Sequence, residues 1–192
     1  MTETLVSEKQ ARFLTMAELN DGLDDIRQSP RNNGTLAMIV SRPTVEERVV
    51  QETGELAVEE GLVGDNWQTR GSSRTEDGSA HPEMQITLMN TRAAQLVSQS
   101  QERWPLAGDQ LFVDLDLSVE NLKPGQRLTI GSAVLEITEM AHTGCQKFSS
   151  RFGVDALKWV NSPAGKELRL RGIYARVVEP GTVQVGDTIQ LI

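Results

Sequence analysis

Arg127-Leu128-Thr129-Ile130-Gly131-Ser132-Ala133-Val134-Leu135-Glu136-Ile137-Thr138 is the stretch on which the fold turns. Two short runs rich in β-branched and apolar residues flank Gly131-Ser132. A two-residue link of this kind makes a tight hairpin, because glycine accepts positive φ. Runs of the same character recur at Thr35 to Val40, Val45 to Val50, Gln85 to Met89, Gln110 to Leu117, Val134 to Met140, Gly172 to Val178 and Thr188 to Ile192. Pro180-Gly181 and Gly186-Asp187 mark further turns. Many short strands with frequent turns predict a mainly β chain curled into a closed or strongly curved barrel, since closure removes exposed edges.

Short helices interrupt this pattern. Thr15 to Ser29 reads as an amphipathic helix, with Thr15 and Glu18 matching a capping box and Met16, Leu19, Leu23 and Ile26 at helical spacing. Pro30 and Asn32-Asn33-Gly34 stop it. Two further helices are predicted at Thr91 to Gln101, behind an Asn90 cap, and at Val154 to Val160. A last one starts at Ser162, whose cap precedes Pro163 at the first helical position. The expected organisation is a helical extension over 1–34 and a barrel domain over 35–192. Thr69 to Ala80, reading TRGSSRTEDGSA, is polar and aperiodic, which predicts a surface loop.

The 192 residues carry a net charge of −8. Such an acidic chain has no general electrostatic grip on nucleic acid or anionic lipid, so neither is an expected partner. The N-terminal residues lack the basic-then-apolar pattern of a secretory signal, and no apolar run approaches the ~20 residues of a membrane span. A cytoplasmic protein is expected. The charge is uneven: between His142 and Arg171 six cations (Lys147, Arg151, Lys158, Lys166, Arg169, Arg171) face two anions (Asp155, Glu167), so this segment is +4 and the remainder −12.

The one cysteine of the chain, Cys145, lies in this basic segment, within Ala141-His142-Thr143-Gly144-Cys145-Gln146-Lys147. It has no partner for an internal disulfide. It is therefore either apolar filler or a thiol kept for reactivity or ligation, and its small, polar flanks favour the second reading. His142 is a candidate base or cationic neighbour. Asp65-Asn66, after Gly61-Leu62-Val63-Gly64, presents an acid and an amide beside Trp67, as a capped turn or as part of a site. Trp67, Trp104 and Trp159 are isolated and read as packing residues. One cysteine and two histidines cannot assemble a zinc cluster of the usual soft ligands, so no zinc is expected.

Taken in order, Gly125 to Thr138, Gly144-Cys145-Gln146-Lys147-Phe148, Arg171-Gly172-Ile173-Tyr174-Ala175-Arg176-Val177-Val178-Glu179-Pro180-Gly181 and Val183-Gln184-Val185-Gly186-Asp187-Thr188-Ile189 resemble the MOSC domain, named for the C-terminal region of molybdenum cofactor sulfurases. Glu60-Gly61-Leu62-Val63-Gly64-Asp65 extends the resemblance upstream, to about residue 35. Beyond it the chain departs from the family's His-Gly-Gly-like segment, having a longer loop and then Ser79-Ala80-His81-Pro82.

The resemblance implies a MOSC, pyruvate kinase β-barrel-like barrel with Cys145 at the mouth of a cleft. There a cysteine carries sulfur as a persulfide or ligates molybdenum of the molybdenum cofactor, the latter in members that reduce N-hydroxylated compounds. It makes Cys145 the candidate catalytic residue and molybdenum ligand. Lys147, Arg151, Arg171, Tyr174, Asp65, Asn66 and His142 are the candidate cofactor-binding residues, the cations suiting the phosphate of molybdopterin. Pyridoxal phosphate belongs to a desulfurase domain fused to some members and is not expected here. Three readings follow: a cofactor-binding protein active in cofactor maturation or reduction, a persulfide carrier fed by a cysteine desulfurase partner, and a binding module without chemistry. A redox partner protein goes with the first.

Overall fold

The computed structural model describes residues 12–192. The N-terminal segment folds as two short helices, α1 (Met16–Asp21) and α2 (Leu23–Arg27), rather than the single helix expected. The capping box is present: Thr15 accepts from the Glu18 backbone, and the Glu18 carboxylate returns to the Thr15 backbone. The helix breaks at Gly22, where a Cβ would lie 2.4 Å from Leu96. Leu19 and Ile26 are buried, on the expected apolar stripe.

The strands follow as β1 (Gly34–Ser41), β2 (Val49–Gln51), β3 (Thr53–Ala57) and β4 (Gly61–Leu62), then helix α3 (Trp67–Arg70). Next come β5 (Ile86–Asn90), α4 (Thr91–Ser98), a 3-10 segment over Gln101–Ala107 and β6 (Leu111–Asp114). The hairpin β7 (Arg127–Ile130) and β8 (Ala133–Ile137) leads to α5 (Gln146–Phe152), α6 (Val154–Val160) and α7 (Pro163–Glu167). Last are β9 (Ile173–Glu179), β10 (Gly181–Gln184) and β11 (Thr188–Leu191).

The main sheet runs β11-β7-β8-β9-β5-β6-β1-β2, and β1 also pairs with β11. That pairing closes β1, β11, β7, β8, β9, β5 and β6 into a barrel. All its neighbouring strands are antiparallel except β5 and β6, which run parallel and are bridged by α4. β10, β3 and β4 form a small second sheet. Gly131 turns the β7–β8 hairpin at φ +56, and a Cβ there would lie 2.3 Å from the Thr182 carbonyl. Only glycine meets both demands.

Several elements are shorter than expected. Val45 to Val50 yields strand only at Val49–Gln51, because Arg48 donates to the carbonyls of Pro105, Val45 and Glu47 and holds this stretch as a loop. β6 ends at Asp114 and β8 at Ile137, and α4 ends at Ser98 because Gln99 turns left-handed at φ +60.

Alternation along the strands separates two cores. Leu36, Ile39, Leu88, Leu111, Val113, Leu128, Leu135 and Val177 belong to a cluster filling the barrel. Met38, Val40, Met89 and Phe112 point the other way, into a second cluster with Leu19, Trp104, Phe148, Phe152 and Trp159 of the helical layer. Each large side chain fully buried there contributes roughly 1.5–3 kcal/mol. All three tryptophans are buried, as their isolation predicted. Among the described residues no helix is long and apolar enough to cross a membrane.

Candidate functional site

Cys145 is solvent-exposed and stands at the N-cap position of α5 with extended backbone. Asn161, just after α6, fixes the preceding peptide: its Oδ1 accepts from Gly144 N at 3.0 Å and its Nδ2 donates to Gly144 O at 3.2 Å. Phe148 and Phe152, one helical turn apart, anchor α5 in the helical core. The anchoring leaves the thiol end of the helix facing solvent.

Three residues before Cys145, His142 is turned inward. Its ring lies 4.4 Å from that of Tyr174, and its Nδ1 is 3.6 Å from Asp109 Oδ1, beyond hydrogen-bond range. Gly172, at φ +104, brings its backbone against Leu88 O and leaves room for the imidazole. Asp109 Oδ2 accepts a 2.6 Å hydrogen bond from Arg171 Nη1, while Arg171 Nη2 donates to Ala107 O. The Arg171 guanidinium also lies 5.2 Å from the Phe148 ring centre, tying this cluster to α5. Burial, then the charges of Arg171, Arg42 and Arg74, holds the His142 imidazole well below its ordinary range, so the ring is neutral. Burial pushes the Tyr174 phenol up and leaves it protonated.

Asp65 forms a second buried lock. Its carboxylate accepts from Arg42 Nε and Nη2, each at 2.8 Å, and from the Arg42 and Trp67 backbones. Arg42 Nη1 also donates to Gly108 O, beside Asp109. The Asp65 side chain is 0% exposed, so its work is to pin the loop after β1 to the turn before α3. Asn66 is buried next to it, with Oδ1 lacking a hydrogen-bond partner among the described residues.

Lys147 and Arg151 sit on α5 and share one anion, Glu46. The distances are 3.2 Å from Lys147 Nζ and 3.2 Å from Arg151 Nη2. Arg151 Nη1 also donates to Leu106 O. The Lys147 hydrogen bond, followed by the charges of Lys147 and Arg151, holds the Glu46 carboxyl below its usual range.

The expected residues therefore fall into four groups. Cys145 is exposed; His142, Tyr174 and Arg171 converge in one inward-facing cluster with Asp109; Lys147 and Arg151 share Glu46; Asp65, with Asn66 beside it, is locked to Arg42. Sequence reasoning missed Arg42, Asp109 and Asn161. Arg171 and Asp109 are 62 positions apart and Arg42 and Asp65 are 23 apart, so their pairing left no local signal. His81 serves locally, its Nδ1 accepting from Glu83 N at the start of a 3-10 turn.

Comparison with known proteins gives the family and the fold. The MOSC domain family matches residues 75–190. No curated protein matches the chain. Among solved structures, the fold is similar to the YuaD protein from Bacillus subtilis, with TM-score 0.58 and 18% identity over 82% of this chain and 94% of that one. It is also similar to YiiM from Geobacillus stearothermophilus, with TM-score 0.53 and 14% identity over 83% and 75% of the two chains. YiiM from Escherichia coli gives TM-score 0.50 and 18% identity over 84% and 69%. At these identities the likeness is one of fold. The match to residues 75–190, more than half of the sequence, means that the chain belongs to the MOSC domain family.

Proposed function

We propose that this protein binds molybdenum cofactor with Cys145 as the protein ligand to the metal, and serves in maturation of that cofactor or in reduction of N-hydroxylated compounds. The observation that carries this reading is the exposed Cys145 held by Asn161 at the head of α5, beside a buried cluster of Asp109, His142 and Arg171. A thiolate is a soft donor suited to such a metal. Among the described residues no group of three or more His, Cys, Asp or Glu is placed to hold a metal ion. A metal at Cys145 must therefore bring most of its coordination shell with it, as a pterin-bound molybdenum does.

When bound, the cofactor would supply the redox or sulfur chemistry. This chain's residues would hold and orient it: Cys145 at the metal, and Lys147 and Arg151 toward its phosphate, with Arg171, Tyr174, His142, Asp65 and Asn66 shaping the surroundings. A reducing cytoplasm suits a thiol kept free. Molybdenum and pterin content of protein purified anaerobically from a cofactor-producing host tests the reading. About one equivalent of each is expected, lost in Cys145→Ser; a wild type without either sinks it.

The exposure of Cys145 also supports a second reading, as a sulfur carrier. Its thiolate would attack the outer sulfur of a desulfurase persulfide. A new S–S bond forms, the donor's breaks, and the donor cysteine leaves as thiolate. Mass spectrometry after incubation with a cysteine desulfurase and cysteine should then show one added sulfur atom, absent in Cys145→Ser.

A further inference from the structure

Four arginines converge on four successive backbone carbonyls. Arg48 Nε donates to Pro105 O at 3.2 Å, Arg151 Nη1 to Leu106 O at 2.8 Å, Arg171 Nη2 to Ala107 O at 2.9 Å and Arg42 Nη1 to Gly108 O at 2.8 Å. These carbonyls close the 3-10 segment Gln101–Ala107 and its Gly108 cap. A neutral carbonyl orients a guanidinium without cancelling its charge, so the charges are answered separately. Asp65 pairs with Arg42 and Asp109 with Arg171, both carboxylates fully buried. On the open side, Arg151 shares the Glu46 carboxylate with Lys147: one oxygen lies 3.2 Å from Lys147 Nζ and the other 3.2 Å from Arg151 Nη2.

The Glu46 contact differs in kind from the two buried locks. Its side chain is 71% exposed and that of Lys147 62%, so water competes for both and the pair holds weakly. The frame around it is nevertheless fixed. Arg151 is only 21% exposed and keeps its place through Leu106 O, independently of Glu46. The backbone on either side of Glu46 is held as well: Arg48 Nη1 donates to Val45 O at 3.2 Å and to Glu47 O at 2.6 Å, and Glu47 N donates to Thr44 O. Rotation of the Glu46 side chain alone therefore opens the space between Lys147 Nζ and Arg151 Nη2 while the loop stays in place. A carboxylate with one oxygen on each of two cations marks where two oxygens of a phosphate would sit.

We propose that Lys147 and Arg151 form a phosphate site whose built-in occupant is Glu46, so that a phosphate monoester binds by displacing this carboxylate and Glu46 sets how tightly it is held. That the arriving phosphate belongs to molybdopterin rests on the cofactor reading, whereas the competition rests on the geometry alone. The site lies on α5, the helix that Cys145 caps.

Isothermal titration of the full chain with inorganic phosphate near neutral pH and at fixed ionic strength, against chloride, tests the displacement. Wild type should show weak saturable binding, and Glu46→Gln should bind about three- to tenfold more tightly. Glu47→Gln makes the same charge change one position away and should stay within about twofold of wild type. Glu46→Asp keeps the charge but falls one methylene short of bridging both cations, so it should gain affinity as well. Lys147→Gln in the Glu46→Gln background should lose the gain. These side chains are exposed, and far-ultraviolet circular dichroism checks that each variant folds. Equal affinities in wild type and Glu46→Gln overturn the proposal, as does an equal gain in Glu47→Gln, which would reduce the effect to net charge. So does a gain that survives Lys147→Gln, or the absence of saturable binding in every protein. Molybdenum and pterin content separates this from the cofactor reading. Tighter phosphate binding in Glu46→Gln with no molybdenum in the wild type upholds the displacement and sinks only the cofactor reading, whereas bound molybdenum with equal phosphate affinities sinks only the displacement.

Discussion

Asp109 and Arg171 meet at 2.6 Å with both side chains under a tenth exposed, and Asp109 turns its second oxygen toward the His142 ring. Burial acts to push the Asp109 carboxyl up, while Arg171 acts to pull it down. The short bond to a permanently charged guanidinium favours the ionised pair. Asp109→Asn keeps the shape but leaves Arg171 charged and uncompensated, which costs about 3–5 kcal/mol when one partner of a buried pair is lost. Urea unfolding should show the midpoint falling with an unchanged slope.

His142 gives the stability a pH dependence of known sign. Its folded pKa is depressed below the ~6.5 of a free imidazole, so on acidification the unfolded chain takes up the proton first. The contribution is full above about pH 6.5 and is lost as pH falls toward the folded value, at up to ~1.4 kcal/mol per pH unit. His142→Gln removes this term. Between pH 7.0 and 5.5 the wild type should lose more stability than the variant, and parallel losses would contradict a buried neutral ring.

Glu46 screens the cations beside the thiol. Releasing Lys147 and Arg151 by Glu46→Gln makes the potential around Cys145 more positive. The rate with the anionic disulfide 5,5′-dithiobis(2-nitrobenzoate) should rise several-fold relative to neutral iodoacetamide. The gain should shrink as added salt screens the charges.

Gly131→Ala tests the turn that decides the fold. It forces a side chain into φ +56 and places a methyl 2.3 Å from Thr182 O. A loss above about 1 kcal/mol is expected, because strain and backbone displacement add. Thermal unfolding followed by circular dichroism measures it.

The contrast between that hairpin and the site shows what a sequence displays. β7, α6 and the caps at Thr15, Asn90 and Ser162 follow the sequence reading because each depends on neighbours within a few positions. α5 was missed: Gln146, Lys147, Ser149 and Ser150 mask a helix whose only apolar anchors are Phe148 and Phe152. Cys145 and His142 stood out by residue type. The roles of Arg171 and Asp65 did not, since what each does depends on a partner that the barrel brings from elsewhere in the chain.

Asn161 is the last residue whose part appears only in three dimensions. It meets both polar groups of the Gly144 residue, donating to one and accepting from the other, so the backbone before Cys145 is held by a side chain beyond α6. Gly144 packs tightly there, since a Cβ would lie 2.8 Å from both Leu157 and Val160, and the clamp can act only through its backbone. Asn161→Ala removes both bonds at a cost of about 1–2 kcal/mol. Asn161→Asp is the sharper test: its carboxylate still accepts from Gly144 N but has no donor for Gly144 O. If the clamp presents the thiol, both variants should change the rate of Cys145 alkylation in folded protein and lower molybdenum retention, Asp less than Ala. Stability losses with unchanged alkylation and metal content would reduce Asn161 to a packing residue.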